Sequence, residues 1–229
     1  MTAGLSVVIP TLNAEGTLAE TLESLMEGIF SGLIKELVIS DGGSTDATSH
    51  IAEDVGAVFV QGPASRGGQL RRGCAVARGE WLLILHADTQ LEPGWTSSVH
   101  AHLRDKYAVA YFRLDFPVRG VMPMFVVQWA NMRAKIFGLP YGDQGLLIHK
   151  DHYHAVAGFS DYVLMEDVDM MRKIRKSKIS LTGLPHRAIT DPHRYERFGW
   201  FRTGASNLFL LGRYLTGTHP DVLNKKYKR

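Results

Sequence analysis

The chain has 229 residues, 45% apolar and 21% charged, which suits one large domain with an ordinary core and lies below the composition of disordered chains. A net charge of +3 and a pI near 9.0 are too mild for nucleic-acid binding, and the single cysteine, Cys74, excludes an internal disulfide framework. No stretch approaches the roughly 18 uninterrupted apolar residues of a spanning helix, and the apolar run 5–9 is too short for a signal peptide, so the expectation is a cytoplasmic protein.

The first half alternates regularly. Residues 5–9 read as a buried strand stopped by Pro10, and Leu18, Leu22, Leu25 and Met26 mark the apolar face of a helix. Strands follow at 36–40, 57–61 and 81–86, with helices at 46–55 and 66–78 between them and another from Pro93-Gly94 to about Tyr107. Strand–helix–strand repeats with short connections predict right-handed crossovers and an α/β fold whose central sheet is mainly parallel. The second half is less regular. Residues 109–116 alternate as a half-exposed or antiparallel strand, and 122–137 form an apolar helix closed by Gly138-Leu-Pro140. A short strand at 145–149, a helix at 166–178, a strand at 179–184 ending before Pro185 and an aromatic-rich helix at 198–215 complete the reading. The basic tail 224–229 reads as solvated or as a patch for anionic headgroups.

Two apolar strands end in acid. Each delivers a carboxylate to the edge of a parallel sheet where ligands bind. In Asp41-Gly-Gly-Ser-Thr-Asp46, Gly42 and Gly43 let backbone approach a flat ligand, and Asp41 can accept from a ring N–H or a ribose hydroxyl; Asp46 or Thr45 also suits a helix cap. In His86-Ala-Asp88 the i, i+2 spacing lets both side chains converge on one cation, or leaves His86 a hydrogen-bonded loop residue. Asn13 and Glu15, where the first strand enters its helix, are ligand contacts or helix-end residues. Ala64-Ser-Arg66-Gly-Gly-Gln69-Leu-Arg-Arg72 offers arginine forks to phosphate, Arg66 foremost. Asp143 and Gln144 lie between glycines in a polar turn that suits a sugar hydroxyl, and His193 can complete a metal site or sit on the surface. Glu166-Asp167 opens a helix, as dipole-stabilising acids or as a general base. Neither G-x-G-x-x-G after the first strand nor a G-x-x-x-x-G-K-[ST] loop is present, which disfavours a dinucleotide enzyme and a P-loop protein. The apolar helix 122–137 and the run Phe198, Trp200, Phe201, Phe209 and Tyr214 cover the sheet, form a homodimer contact or meet a membrane surface.

Read together, residues 6–15, 38–46, 77–88 and 166–167 resemble the family 2 glycosyltransferases. Arg66-Gly-Gly-Gln-Leu, Leu85-His-Ala-Asp-Thr89, Gly142-Asp-Gln-Gly145 and the run 194–203 resemble a small soluble bacterial subgroup with a His-Ala-Asp motif. The resemblance implies the GT-A fold, one domain over 1–229, and a nucleotide-binding half to about residue 110 with an acceptor half beyond it. It implies a nucleotide held by Pro10, Thr11, Glu15 and Asp41, with Asn13, Gly42 and Gln69 nearby and Arg66 at the phosphates. Asp88 would hold Mn²⁺ or Mg²⁺, with His86 where the commoner pattern has Asp, and Asp167 beside Glu166 would be the base. The implied activity is single, inverting transfer from a UDP- or GDP-linked sugar to a hydroxyl acceptor, since the processive Gln-x-x-Arg-Trp element is absent. A non-catalytic nucleotide-sugar binding module and a sugar-nucleotide pyrophosphorylase are the alternatives.

Overall fold

The computed structural model describes residues 4–104 and 107–227. The expected end of the helix near residue 107 falls partly on residues 105–106, and the basic tail partly on 228–229; both pairs lie outside the described residues. The elements run β1 (Leu5–Thr11), α1 (Glu15–Phe30), β2 (Ile34–Asp41), α2 (Thr48–Asp54), β3 (Val58–Gln61), α3 (Arg66–Val76), β4 (Trp81–Ile84), β5 (Thr89–Leu91) and α4 (Trp95–His102). They continue with β6 (Ala108–Asp115), α5 (Val121–Phe137), a single 3-10 turn (Gly142–Gln144), β7 (Leu146–His149), α6 (Lys150–Ala155), α7 (Glu166–Lys176), β8 (Ser180–Thr190), α8 (His193–Phe198), α9 (Trp200–Leu215) and α10 (Pro220–Tyr227).

The strands form one sheet in the order β3-β2-β1-β4-β7-β6-β8-β5. β3, β2, β1 and β4 are parallel; β7 runs antiparallel to both β4 and β6, β6 is parallel to β8, and β5 is antiparallel to β8. The sheet is therefore mixed, with helices on both faces. Alternate residues of β4 serve the two cores: Trp81 and Leu83 pack with Leu18, Leu25 and Trp95, while Leu82 and Ile84 pack with Leu70, Met170 and Ile174. Burial on both faces explains the uninterrupted apolar strands. No described helix is long and apolar enough to cross a membrane.

Several expectations are corrected. β1 continues through Pro10 to Thr11, because β2 accompanies it to the end while pairing with β4 stops at Val8, leaving Pro10 no donor to supply on that side. β8 likewise passes Pro185. Tyr111 pairs with Gly183 and Arg113 with Arg187, so residues 184–186 oppose Phe112 alone in a bulge that absorbs the proline. Met26 is 39% exposed, and Thr21 and Gly28 instead join Leu18, Leu22 and Leu25 on the buried stripe of α1. Gly199, at φ 87°, splits the expected helix 198–215 into α8 and α9. β5, α6 and α10 have no counterpart in the sequence reading.

The seam between β4 and β7 positions the site. Ile84, the last residue of β4, pairs with Leu146, the first of β7. Because the two strands run in opposite directions, the loop leaving β4 and the turn entering β7 meet at one edge of the sheet.

Candidate active site

At the parallel end of that edge, β1 delivers Thr11 and β2 delivers Asp41. Asp41 is fully buried. Its Oδ1 accepts from the hydroxyls of Thr11 (2.9 Å) and Ser44 (2.5 Å), and its Oδ2 from the N–H groups of Gly43 and Ser44, both at 2.7 Å. Burial raises the pKa of such a group, but these donors outweigh it and hold the carboxyl below the ordinary value of 3.8. Asn13, at φ 51°, donates its N–H to Ser44 Oγ and accepts from Thr45 N–H, while Glu15 Oε2 accepts from Ala47 N–H at 2.9 Å. The glycine-rich loop after β2 is thereby tied to the start of α1. Pro10 is half-buried beside it. Gly42 faces Gln69 and the backbone of Ala64 so closely that an added Cβ would fit only if they gave by a few tenths of an ångström. Gln69 itself is buried, and its amide donates to the carbonyls of Thr11 (2.6 Å) and Ser40 (3.2 Å). These two bonds from Gln69 clamp β1 to β2.

At the seam lies a cleft of about 720 Å³, lined at its inner end by Arg66, His86, Asp88, Asp143, Glu166 and Asp167. His86 and Asp88 leave β4; Asp88 is steadied by its carbonyl, which accepts from Asp191 N–H at 3.0 Å. Asp143 lies in the turn before β7, its carbonyl accepting from the Thr190 hydroxyl at 3.1 Å. Glu166 and Asp167 open α7 behind Met165, whose left-handed backbone (φ 65°) turns the chain sharply into the helix. Asp167 Oδ2 accepts from Gly142 N–H at 2.9 Å. Gly142 also lies against His86 Nε2 with no room for a Cβ, so one glycine joins the loop after β4 to the start of α7.

Crowded carboxyls shape the electrostatics. Burial, with the Asp167 and Asp88 charges behind it, pushes Asp143 up to about 6, and its Oδ1 has no hydrogen-bond partner. Burial and then the Asp167 charge raise Glu166, which is 1% exposed; its Oε1 lies 3.7 Å from Arg66 Nη1 and its Oε2 has no partner. Burial also raises Asp88. Burial, reinforced by the Arg66 charge, holds His86 far below an ordinary histidine, so its imidazole is neutral at physiological pH.

Among the described residues no group of three or more His, Cys, Asp or Glu is arranged to hold a metal ion. Two neighbouring side chains nevertheless have the chemistry to share a divalent cation with a substrate: a neutral His86 offers a lone pair and Asp88 a carboxylate.

Asp88 and Asp167 thus share one cleft, whereas Asp41 is not among its lining residues. Two further expectations are corrected. Gln144 is fully buried and outside the cleft; its amide donates to Phe112 O (3.2 Å) and its oxygen accepts from Tyr141 N–H (3.4 Å), so it holds the turn rather than a sugar. His193 is exposed at the start of α8 and does not line the cleft; Arg194 and Tyr195, one and two residues on, do. Arg133 was not singled out from sequence. It is buried in α5, donates to Leu139 O at 2.9 Å and stacks on Tyr141, 3.3 Å from the ring centre. A lone arginine inside an apolar helix was its available signal.

The model of a family described as glycosyl transferase family 2 matches residues 6–166. The chain is 37% identical over 93 residues to the PGL/p-HBAD biosynthesis glycosyltransferase of Mycobacterium tuberculosis, a stretch covering 38% of this chain and 36% of that protein. It therefore matches only about a third of that curated relative's length. An uncharacterized glycosyltransferase of Rickettsia typhi is 23% identical over 175 residues, 74% of this chain and 56% of that one. Among solved structures, S. aureus TarS superposes with a TM-score of 0.65 at 20% identity, covering 82% of this chain and 37% of that chain. Glucosyl-3-phosphoglycerate synthase from Mycobacterium tuberculosis, solved with Mn²⁺, UDP and glucosyl-3-phosphoglycerate, gives 0.61 at 19% identity, covering 90% and 78%. At such identities these likenesses establish the shared GT-A fold.

Proposed function

The chain belongs to glycosyl transferase family 2, and we propose that it is a metal-dependent, inverting enzyme moving one sugar from a nucleoside diphosphate donor to a hydroxyl acceptor. The observation that carries this reading is the convergence of His86, Asp88 and Asp167 on one cleft at the seam of the sheet. We assign the nucleotide to the loops after β1 and β2, where Pro10, Thr11, Asn13, Glu15, Asp41 and Gly42 gather, and the acceptor to the half beyond residue 110. Asp88 and His86 would hold Mn²⁺ or Mg²⁺. When bound, the cation neutralises charge on the departing diphosphate.

Arg66, held by Glu166, lies where it can face the same phosphates. Asp167 accepts the acceptor's hydroxyl proton as that oxygen bonds to the anomeric carbon, on the face opposite the breaking bond to diphosphate. Its hydrogen bond from Gly142 N–H orients the carboxylate for this task. Asp143 is suited to a donor hydroxyl, since its buried Oδ1 has no internal partner.

Asp167→Asn is isosteric and removes the base. It should lower turnover at least a hundredfold while nucleotide affinity, measured calorimetrically with Mn²⁺, stays within about threefold. Asp88→Ala should instead weaken Mn²⁺-dependent nucleotide binding. Wild-type turnover in Asp167→Asn would overturn the assignment of the base.

A further inference from the structure

The cleft does not end at its charged floor. It continues outward between α5 and α9, where Met122, Phe125, Trp129, Phe201 and Leu208 form its wall. Phe125 is 65% exposed and Phe201 80%, so two phenyl rings stand at the mouth of a cavity whose floor is carboxylates. The helices are anchored from beneath: Phe116 meets Trp200 of α9 edge-on at 5.4 Å, Tyr195 stacks on Trp200 at 5.0 Å, and Ala130 of α5 is buried in the same cluster. The outward rings are therefore surplus to the core that holds these helices.

Exposure extends past the cleft. Val121, Met124, Ile136 and Phe137 on α5, and Phe209 and Leu215 on α9, are each at least half exposed. Neither helix carries an Asp or Glu, while Lys135, Arg202 and Arg213 are exposed on them. An apolar surface with cations and no acids suits the boundary of an anionic bilayer.

We propose that α5 and α9 rest on an anionic lipid surface and that the acceptor is an amphiphile drawn from it, its chain along the Phe125–Phe201 wall and its hydroxyl head at Asp167. This assignment rests on the transferase reading, since it names that site's acceptor. What selects a lipid over a second copy of the chain is continuity: the apolar wall and the carboxylate floor belong to one concavity, so whatever fills the wall also reaches the reacting groups. A partner protein seated across α5 and α9 would close the acceptor's route.

Co-sedimentation with vesicles of phosphatidylcholine and phosphatidylglycerol (3:1) tests the surface without any donor, so it is independent of turnover. The wild type should pellet with these vesicles and at least tenfold less with pure phosphatidylcholine. The Phe125→Ser/Phe201→Ser variant, altered at two exposed positions, should lose at least tenfold in vesicle binding, and Arg202→Glu should lose several-fold. In donor-turnover assays with n-alkyl glucosides as acceptor probes, kcat/KM should rise about fourfold per added methylene until the wall is filled. Absence of wild-type pelleting, or equal pelleting by the double variant, would overturn the proposal. So would a dimer in sedimentation velocity that the double variant converts to monomer without any vesicle binding. Vesicle binding with no diphosphate release from any sugar nucleotide would instead count against the transferase reading alone.

Discussion

Gly67 offers the sharpest test of how the reacting groups are held. It sits in the first turn of α3, one residue after Arg66, and its N–H donates to Tyr162 O at 2.8 Å. A Cβ added there would lie 2.7 Å from Tyr162 N and 2.9 Å from Tyr162 O, and closer still to the carbonyl oxygen of Ser160. All three atoms are backbone, so no side chain can swing aside. Restoring ordinary contact of 3.4 Å requires the 160–162 segment to retreat by more than 1 Å, a few residues before Glu166 and Asp167. Overpacking of this kind costs about 1–3 kcal/mol, and the strained Gly67–Tyr162 hydrogen bond adds up to about 1 kcal/mol. For a chain of this size that corresponds to a fall of roughly 2–16 °C in Tm. A 1 Å displacement of Asp167, the proposed base, should lower kcat about a hundredfold. Thermal unfolding and donor turnover of Gly67→Ala, beside calorimetric nucleotide binding, measure each quantity separately. A variant with wild-type Tm and kcat would refute the claim that this contact sets the position of α7.

Three other outcomes follow from buried groups. Gln144→Leu should destabilise by about 2–3 kcal/mol in denaturant unfolding, because Phe112 O and Tyr141 N–H lose their partner; unchanged stability would return Gln144 to the list of substrate contacts. Asp41 is held below its ordinary pKa of 3.8 in the folded chain, so it stabilises the fold above about pH 4, and this contribution is lost as pH falls through the lower folded value. Asp41→Asn should therefore be less stable than wild type at pH 7 yet lose less on acidification to pH 3, and parallel Tm profiles would contradict the network. Cys74 is 1% exposed and burial pushes its thiol up to about 12, so a disulfide reagent should label it only as fast as the chain opens. Rapid labelling under native conditions would disprove its enclosure.

The parallel half was legible because its strands are buried on both faces and read as unbroken apolar runs ending in acid. Asp41 and Asp88 stand out because a carboxylate directly beyond such a run wants a partner, whereas Asp167 at a helix start also reads as a dipole-stabilising acid. Prolines misled. Pro10 and Pro185 read as strand ends, and only pairing shows that one faces a side its neighbour has left and the other lies in a bulge. Polarity also fails to reveal direction. Gln69 and Gln144 have the side chains of ligand contacts, yet both spend their amides on backbone. The aromatic wall was seen as composition, but periodicity along α9 could not show that it continues a cleft reached from β4.

The antiparallel meeting of β4 and β7 divides labour along the chain. The loops after β1 and β2 are bound to one another by Asp41, Asn13, Glu15 and Gln69. The segments that wall the outer cleft are α5, in the excursion between β6 and β7, and α8 and α9, appended after β8. Lengthening or recomposing these excursions changes no strand pairing among β1 to β4. On the proposed assignment of donor and acceptor, such an architecture lets a lineage exchange what is glycosylated while leaving the donor's cradle as it was.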